Sequence, residues 1–378
     1  MPKKQLYPVN PDRTEPWNDL PDLPIDPALY RDVEIYEQLG QAKEALALLA
    51  GRSIAIPNPA MLINSITLQE AKVSSAIENV FTTDDELYKA VSDSKSDGEA
   101  PGPTKEVLRY REALWEGYHY LKEHGRFDRD YFIKLYRIIQ ESGDGIRPPF
   151  ARTFIPMGGT GPNAGKPAYT PPRGKGIVEA KLDNLIEFLN SEESQPDDVL
   201  LKMCIAHYQF EVIHPFRDGN GRAGRIMNLH IITRNHRLEL PILYLSRYIL
   251  EHKQDYYEYL SGVSQRGDWK SWILYMLRAV EWTSQLTLRK VNDIIVSKEE
   301  ILQVLREQTD VRRPEDLAEA IFTQPYIKVN HLTDRGLYAE NTARNYLNEL
   351  AELQILEKKV IRGKHYYINP ALVEILSY

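Results

Sequence analysis

The chain has 378 residues, a length that allows two or three domains and a substantial core. A net charge of −7 argues against a protein built around nucleic-acid affinity, and a single cysteine, Cys204, excludes intrachain disulfides and cysteine zinc centres. No apolar run reaches membrane-spanning length and the polar start lacks a signal-peptide stretch, so a cytoplasmic protein with no membrane contact is expected.

Residues up to about Pro27 carry seven prolines and read as an extended arm. Helical periodicity then runs from Asp32 to Val91. Within it Leu62, Ile66, Val73, Ile77 and Val80 recur at helix-compatible spacings, enough apolar surface to dock a helix on a core. The same stretch holds SSAIEN, residues 74–79, where Ser74 and Glu78 stand four apart and project from one side. By itself that pairing is common on solvated helices. A polar segment, 92–106, reads as a linker, and helices resume at Val107 and continue to about Val291. They are interrupted by PPFARTFIPMGGTGPNAGKPAYTPP, residues 148–172, whose glycines, prolines and short β-prone runs predict a hairpin or long loop. Its arms would be 153–156 and 168–171.

Val199, Met203, Ala206, Phe210 and Ile213 predict an amphipathic helix, opened by Pro196, Asp197 and Asp198 and stopped by Pro215. HPFRDGNGRAGR, residues 214–225, follows, and each residue type in it has a task at a phosphate. Gly219 and Gly221 let the backbone turn tightly and bring bare N–H groups against oxyanions. Asp218 suits a divalent cation, and Arg222 can grip a polyphosphate bidentately. His214, with an ordinary pKa near neutrality, can take a proton from an attacking hydroxyl. Downstream, RAGRIMNLHIITRNH reads as a second helix whose positive N-terminal end faces the loop, with Arg222 and Arg225 three apart on one face. His207 and His230 flank the segment and read as structural.

From Val296 onward the character changes. Leu317–Thr323 reads as a helix, followed by helix, turn, helix and two strands. Thr342, Tyr346, Leu350 and Leu353 would form the core stripe of the last long helix, and Lys358, Lys359, Arg362 and Lys364 a basic hairpin.

The motif at 214–225 resembles the signature of the Fic-domain family, HxFx(D/E)GNGRxxR, with His214, Phe216, Asp218, Gly219, Asn220, Gly221, Arg222 and Arg225 filling every defining position. Similarity to bacterial members with a helical N-terminus and a C-terminal winged helix extends over most of the chain. The resemblance implies a mainly α fold: a Fic helical core with a β-hairpin flap, plus a winged-helix domain. The expected divisions are 1–105 for the arm and N-terminal helices, 106–295 for the catalytic core and 296–378 for the winged helix. It implies a protein adenylyltransferase moving AMP from ATP to Ser, Thr or Tyr hydroxyls of target proteins and of itself. His214 would be the base, Asp218 would hold Mg²⁺, and Gly219, Asn220, Gly221, Arg222, Ala223, Gly224 and Arg225 would bind the nucleotide.

SSAIEN matches the family's inhibitory pattern [S/T]xxxE[G/N], so Ser74 and Glu78 would form a brake in which Glu78 pairs with Arg225. Tyr257, in QDYYEYLSGVSQRGDW, resembles the tyrosine of the adenine pocket, and Ser264 stands where some relatives carry asparagine. The flap, about 151–172, would dock a segment of the target through backbone hydrogen bonds, with Tyr169 close to the cleft. The alternative is a DNA-binding winged-helix regulator whose core senses nucleotide. Against it, Glu340, Glu349 and Glu352 would meet phosphates unfavourably, and 296–378 holds 11 Lys/Arg against 13 Asp/Glu. Protein recognition or a homodimer is the preferred role for that part.

Overall fold

The computed structural model describes residues 6–10, 12–54, 60–93, 100–156, 165–191, 196, 198–361 and 363–378. The flap tip (157–164), the centre of the expected linker (94–99), the Leu62 side chain and Arg362 lie outside the described residues. The fold is mainly α. Five helices come first: α1 (Val33–Ile54), α2 (Ala60–Ile77), α3 (Asp84–Ser92), α4 (Gly102–His124) and α5 (Arg129–Gln140). Two short strands, β1 (Ile155–Pro156) and β2 (Pro167–Tyr169), pair antiparallel with Ile155 opposite Tyr169. They are the base of the hairpin expected at 148–172.

Helices α6 (Ile177–Asn190), α7 (Val199–Ile213), α8 (Asn220–Arg234), α9 (Leu245–Glu251), α10 (Lys253–Arg266) and α11 (Trp269–Gln308) complete the helical body. α7 and α8 are its centre. Every residue of α7 except Lys202 is buried, so the amphipathic helix expected from apolar spacing is instead covered on all faces. α1 lies along α11, and α2 packs between α4 and α9. Tyr7, Trp17, Leu20, Leu23 and Ile25 of the arm are buried in this body, where Tyr7 meets Trp269 edge-on at 5.3 Å.

α11 runs 40 residues without a break, through the boundary expected near 295, because no glycine or proline interrupts 269–308. The remainder is α12 (Pro314–Phe322), β3 (Tyr326–Ile327), α13 (Val329–Thr333), α14 (Glu340–Glu352), β4 (Glu357–Ile361), β5 (Lys364–Ile368) and α15 (Pro370–Ser377). The strands form an antiparallel sheet in the order β3-β5-β4. α14 buries Ala343, Leu347 and Leu350, so of the expected stripe Thr342, Tyr346, Leu350 and Leu353 only Leu350 is fully buried. Tyr346 is half-buried against the core and accepts a hydrogen bond from the Arg312 N–H at 3.1 Å, and Leu353 is exposed just past the helix end. Among the described residues no helix is long and apolar enough to cross a membrane.

Candidate active site

The loop between α7 and α8 is held by its own residues. α7 ends at Ile213, and His214 adopts φ 50°, a left-handed conformation rare outside glycine and asparagine. Pro215 and Phe216 follow; the Phe216 ring stacks on Tyr136 at 4.5 Å. Gly219 caps α8 at φ 74°, and a Cβ there would lie 2.7 Å from the Gln140 side chain. Asn220 accepts from the Phe216 N–H and donates to the Phe216 carbonyl, both at 2.9 Å, so its side chain clamps the loop from within and does not face outward. Arg147, absent from the sequence reading, is buried beneath. Its guanidinium donates to the carbonyls of His214 at 2.8 Å and Pro172 at 2.5 Å, tying flap to loop.

The His214 Nδ1 lies 3.3 Å from the Glu211 carbonyl. A carbonyl only accepts, so Nδ1 carries the proton and Nε2 is left as the acceptor. Burial lowers the His214 pKa to about 4, the Glu211 carbonyl opposing and Arg147 adding to the shift, so the ring is neutral at physiological pH. Asp218 is exposed; its Oδ1 accepts the Gly219 N–H at 2.7 Å, and its other oxygen has no partner among the described residues. No group of three or more His, Cys, Asp or Glu side chains among the described residues could hold a metal. A cation here would rest on one protein carboxylate plus phosphate oxygens, the usual arrangement for Mg²⁺, and an exposed half-free carboxylate fits it.

Arg225 is almost fully buried, and α2 supplies its partners. Its Nε donates to the Ser74 hydroxyl at 2.8 Å, and Nη2 donates to the Ser74 carbonyl at 2.9 Å and to Glu78 Oε1 at 2.8 Å. Burial pushes the Glu78 carboxyl up, but Arg225, Arg222 and Lys253 pull harder, and it stays below its ordinary value. A Cβ on Gly221 would lie 2.5 Å from Glu78 Oε1, so the carboxylate occupies the space directly over the first turn of α8. That is where a helix N-terminus attracts anions. Asn79, at φ 63°, ends α2 and turns the chain away; the left-handed conformation suits Asn or Gly there. Arg222 is buried too, and its Nη1 pairs with Glu106 of α4 at 3.2 Å.

The other expected residues surround this pair or support it. Ala223 is buried, and Gly224 faces α7, where a Cβ would strike Glu211 Oε1 at 2.4 Å. Tyr257 is 42% exposed and feels Glu78 and Arg225, with burial and Glu78 raising its hydroxyl to about 12. Ser264 is buried against Tyr208 at 2.8 Å, and Tyr169 donates to the Val212 carbonyl at 3.0 Å while packing on Trp17, a core anchor and not a cleft residue. His207 and His230 are buried with Tyr256 and Tyr131, as structural groups.

Besides Arg147, four polar residues escaped sequence reasoning. Glu70, one helical turn before Ser74, is buried and accepts from the Ser246 N–H, the Ser246 hydroxyl and the Tyr110 hydroxyl. Lys253 caps the end of α2 through the Ile77 carbonyl at 2.5 Å. Glu106 and Glu211 complete the set. Glu211 is buried three residues before His214, and burial pushes its carboxyl up to about 8, with Arg225 opposing. A search for acids on the same face as Ser74 and Glu78 would have found Glu70; the others carry no local signal.

Comparison with known proteins bears on the family and the fold. Residues 36–119 match the profile of the Fic/DOC family N-terminal region, 126–232 that of the Fic/DOC family, and 298–372 that of the protein adenylyltransferase SoFic-like C-terminal domain. The protein adenylyltransferase fic-1 of Caenorhabditis briggsae is 28% identical over 164 residues, 43% of this chain and 29% of that protein. A probable protein adenylyltransferase of Aquifex aeolicus is 38% identical over 73 residues, 19% of this chain and 22% of that one. The matched segments thus span less than a third of those relatives' own length. Among solved structures, a Fic family protein from Desulfovibrio desulfuricans G20 superposes with TM-score 0.52 at 20% identity, covering 92% of this chain and 98% of that one. Fic-1 (aa134–508) from Caenorhabditis elegans gives TM-score 0.51 at 21% identity over 66% and 71%. These two likenesses speak to the fold alone; the three consecutive family profiles assign the chain to the Fic/DOC family.

Proposed function

We propose that this protein transfers AMP from ATP to the side-chain hydroxyl of a target protein and is held back by Glu78. The hydroxyl oxygen attacks the α-phosphorus, its proton passes to Nε2 of His214, the α–β bridging bond breaks and pyrophosphate leaves. Two features favour His214 as the base: a neutral ring at physiological pH and an Nε2 left free by the Glu211 carbonyl. The N–H groups at the start of α8 and the guanidinium groups of Arg222 and Arg225 would bind the phosphates. Mg²⁺, held through Asp218, would neutralise charge between the phosphates. The C-terminal part, 296–378, reads as a winged helix in a protein-recognition role. Glu340 at the head of α14 already neutralises Arg344 at 2.6 Å, which disfavours duplex binding.

The observation that carries the reading is the Glu78 carboxylate seated 2.8 Å from Arg225 and directly over Gly221, in the position a phosphate tail would need. Glu78→Gly should therefore raise AMP incorporation strongly. Intact-mass spectrometry after incubation with ATP and Mg²⁺ would show one or more adenylates on the variant and little on the parent. Adding His214→Ala should cut the rate by roughly 10²–10⁴-fold, the usual contribution of a general base, with ATP binding retained. Equal labelling of parent and Glu78→Gly, or a fully active His214→Ala protein, would refute the scheme.

A further inference from the structure

Ahead of β1 the chain reads Pro148-Pro149-Phe150-Ala151-Arg152-Thr153-Phe154, and two of its aromatic rings stand in solvent: Phe150 is 78% exposed and Phe154 47%. The segment is braced. The Ala151 N–H donates to the Pro148 carbonyl at 3.0 Å and the Gly174 N–H to the Pro149 carbonyl at 2.8 Å, above the Arg147 anchor on the His214 loop. Two adjoining grooves share Phe150 in their walls. One, of 550 Å³, is lined by Pro148 to Thr153 and by Arg217, four residues before Gly221. The other, of 610 Å³, adds Glu15, Asn18, Arg173 and Gly174. Phe150 and Arg152 belong to both, so they form one trough beside the loop.

Its charge runs against that of the whole chain. Arg152, Arg173 and Arg217 line it, and among the described residues no ion pair engages them. Glu15 is the one acid in the lining, and Asp218, next to Arg217, is assigned to the cation. A chain with net charge −7 thus presents three unpaired arginines around an exposed phenyl ring at the mouth of its site.

We propose that this trough seats the stretch of target chain flanking the accepting hydroxyl and selects an extended, acidic segment with one apolar side chain for Phe150. The proposal rests on the transferase reading above and names its substrate class. Carboxylates on either side of the hydroxyl would meet Arg152 and Arg217, and the apolar side chain would cover the ring. Exposed ion pairs are individually weak, so selectivity would come from three together and would fade with salt.

The test uses the full chain carrying Glu78→Gly and two fluorescent serine peptides of equal length, one flanked by glutamates and one by lysines. Anisotropy at low salt should show the glutamate peptide bound roughly tenfold tighter, an advantage that shrinks at high salt. Arg152→Glu and Arg217→Glu should each abolish or invert the preference, while Phe150→Ala weakens both peptides alike. ATP binding by the Arg152→Glu protein should match the parent, which shows that it is folded. Equal or undetectable binding of both peptides, or a preference that survives Arg152→Glu, overturns the proposal. Adenylate found equally on both peptides would sink it while leaving the transferase reading intact. Absence of any adenylate despite selective binding would sink the transferase reading alone.

Discussion

His207 and His230 lie inside the α7–α8 pair, and burial lowers both imidazoles to about 3, against about 4 for His214. An unfolded chain takes up a proton at each ring below about pH 6.5. The folded chain refuses it until far lower. The unfolded state therefore binds more protons in this window, and stability falls as pH drops, by up to about 1.4 kcal/mol per pH unit for each excluded imidazole. Glu211 and Glu70 act with the opposite sign. Burial raises both, Glu211 to about 8, so between the ordinary 4.5 and that value the folded state holds an extra proton on Glu211, and Glu70 acts in the same direction above 4.5. Between pH 6.5 and 4.5 Glu211 offsets part of the histidine effect; below 4.5 nothing in this set opposes it. Glu78, held below its ordinary value by Arg225 in spite of burial, also loses its contribution there. The urea midpoint should thus fall gently from pH 6.5 to 4.5 and steeply from 4.5 to 3.5, with a shallower lower limb in His230→Gln. A midpoint level down to pH 4 would contradict the burial of these rings.

One face of α2, with the turn that ends it, performs three tasks in succession. Glu70 anchors the helix, Ser74 fixes Arg225 and Glu78 covers the head of α8. α9 lacks a side-chain cap of its own, since Tyr244 offers none, and the Glu70 carboxylate accepts the Ser246 N–H at 2.9 Å in its place. Glu70→Ala leaves that N–H, the Ser246 hydroxyl and the Tyr110 hydroxyl without their acceptor, at a cost of about 2–3 kcal/mol. Chemical denaturation should show that loss, and amide exchange should quicken along α2 more than along α8. Unchanged exchange in α2 would mean that Glu70 does not anchor it. The Ser74–Glu78 face was legible because helical spacing is local, and the 214–225 loop because its residue types crowd into twelve positions. The position of Glu70 on that face was legible too, but its anchoring role was not, since Ser246 lies 176 positions away. The same holds for α7. The partners of His207 and Gln209, Tyr256 and the Pro21 carbonyl, are contributed by α10 and the arm, far away in sequence.

At the scale of the molecule, the C-terminal unit is fastened to α3, the helix that directly follows Glu78. Asp93 accepts from Lys328 at 2.5 Å and from the Tyr366 hydroxyl at 2.7 Å, and Asp85 accepts from Tyr326 at 2.6 Å. Ser92 donates to the Tyr326 carbonyl at 2.6 Å. From the other side, Lys290 of α11 donates to the Ile375 carbonyl at 2.7 Å, a cation at the negative end of α15; burial lowers its amine to about 8. An unbroken α11 carries the helical body into this unit, so the two share a helix as well as an interface. Such a joint should melt as one cooperative body. Asp93→Ala removes the shared acceptor of Lys328 and Tyr366, both packed against it, and should cost about 1–3 kcal/mol. Because the loss falls on the interface, calorimetry of the variant should resolve a lower-temperature transition for 309–378 ahead of the main one. Limited proteolysis should then cut in the connection near 309–313 before it cuts the helical body. A single transition at the parent's temperature, with the parent's cleavage pattern, would show that the two parts are held by the continuous helix and not by Asp93.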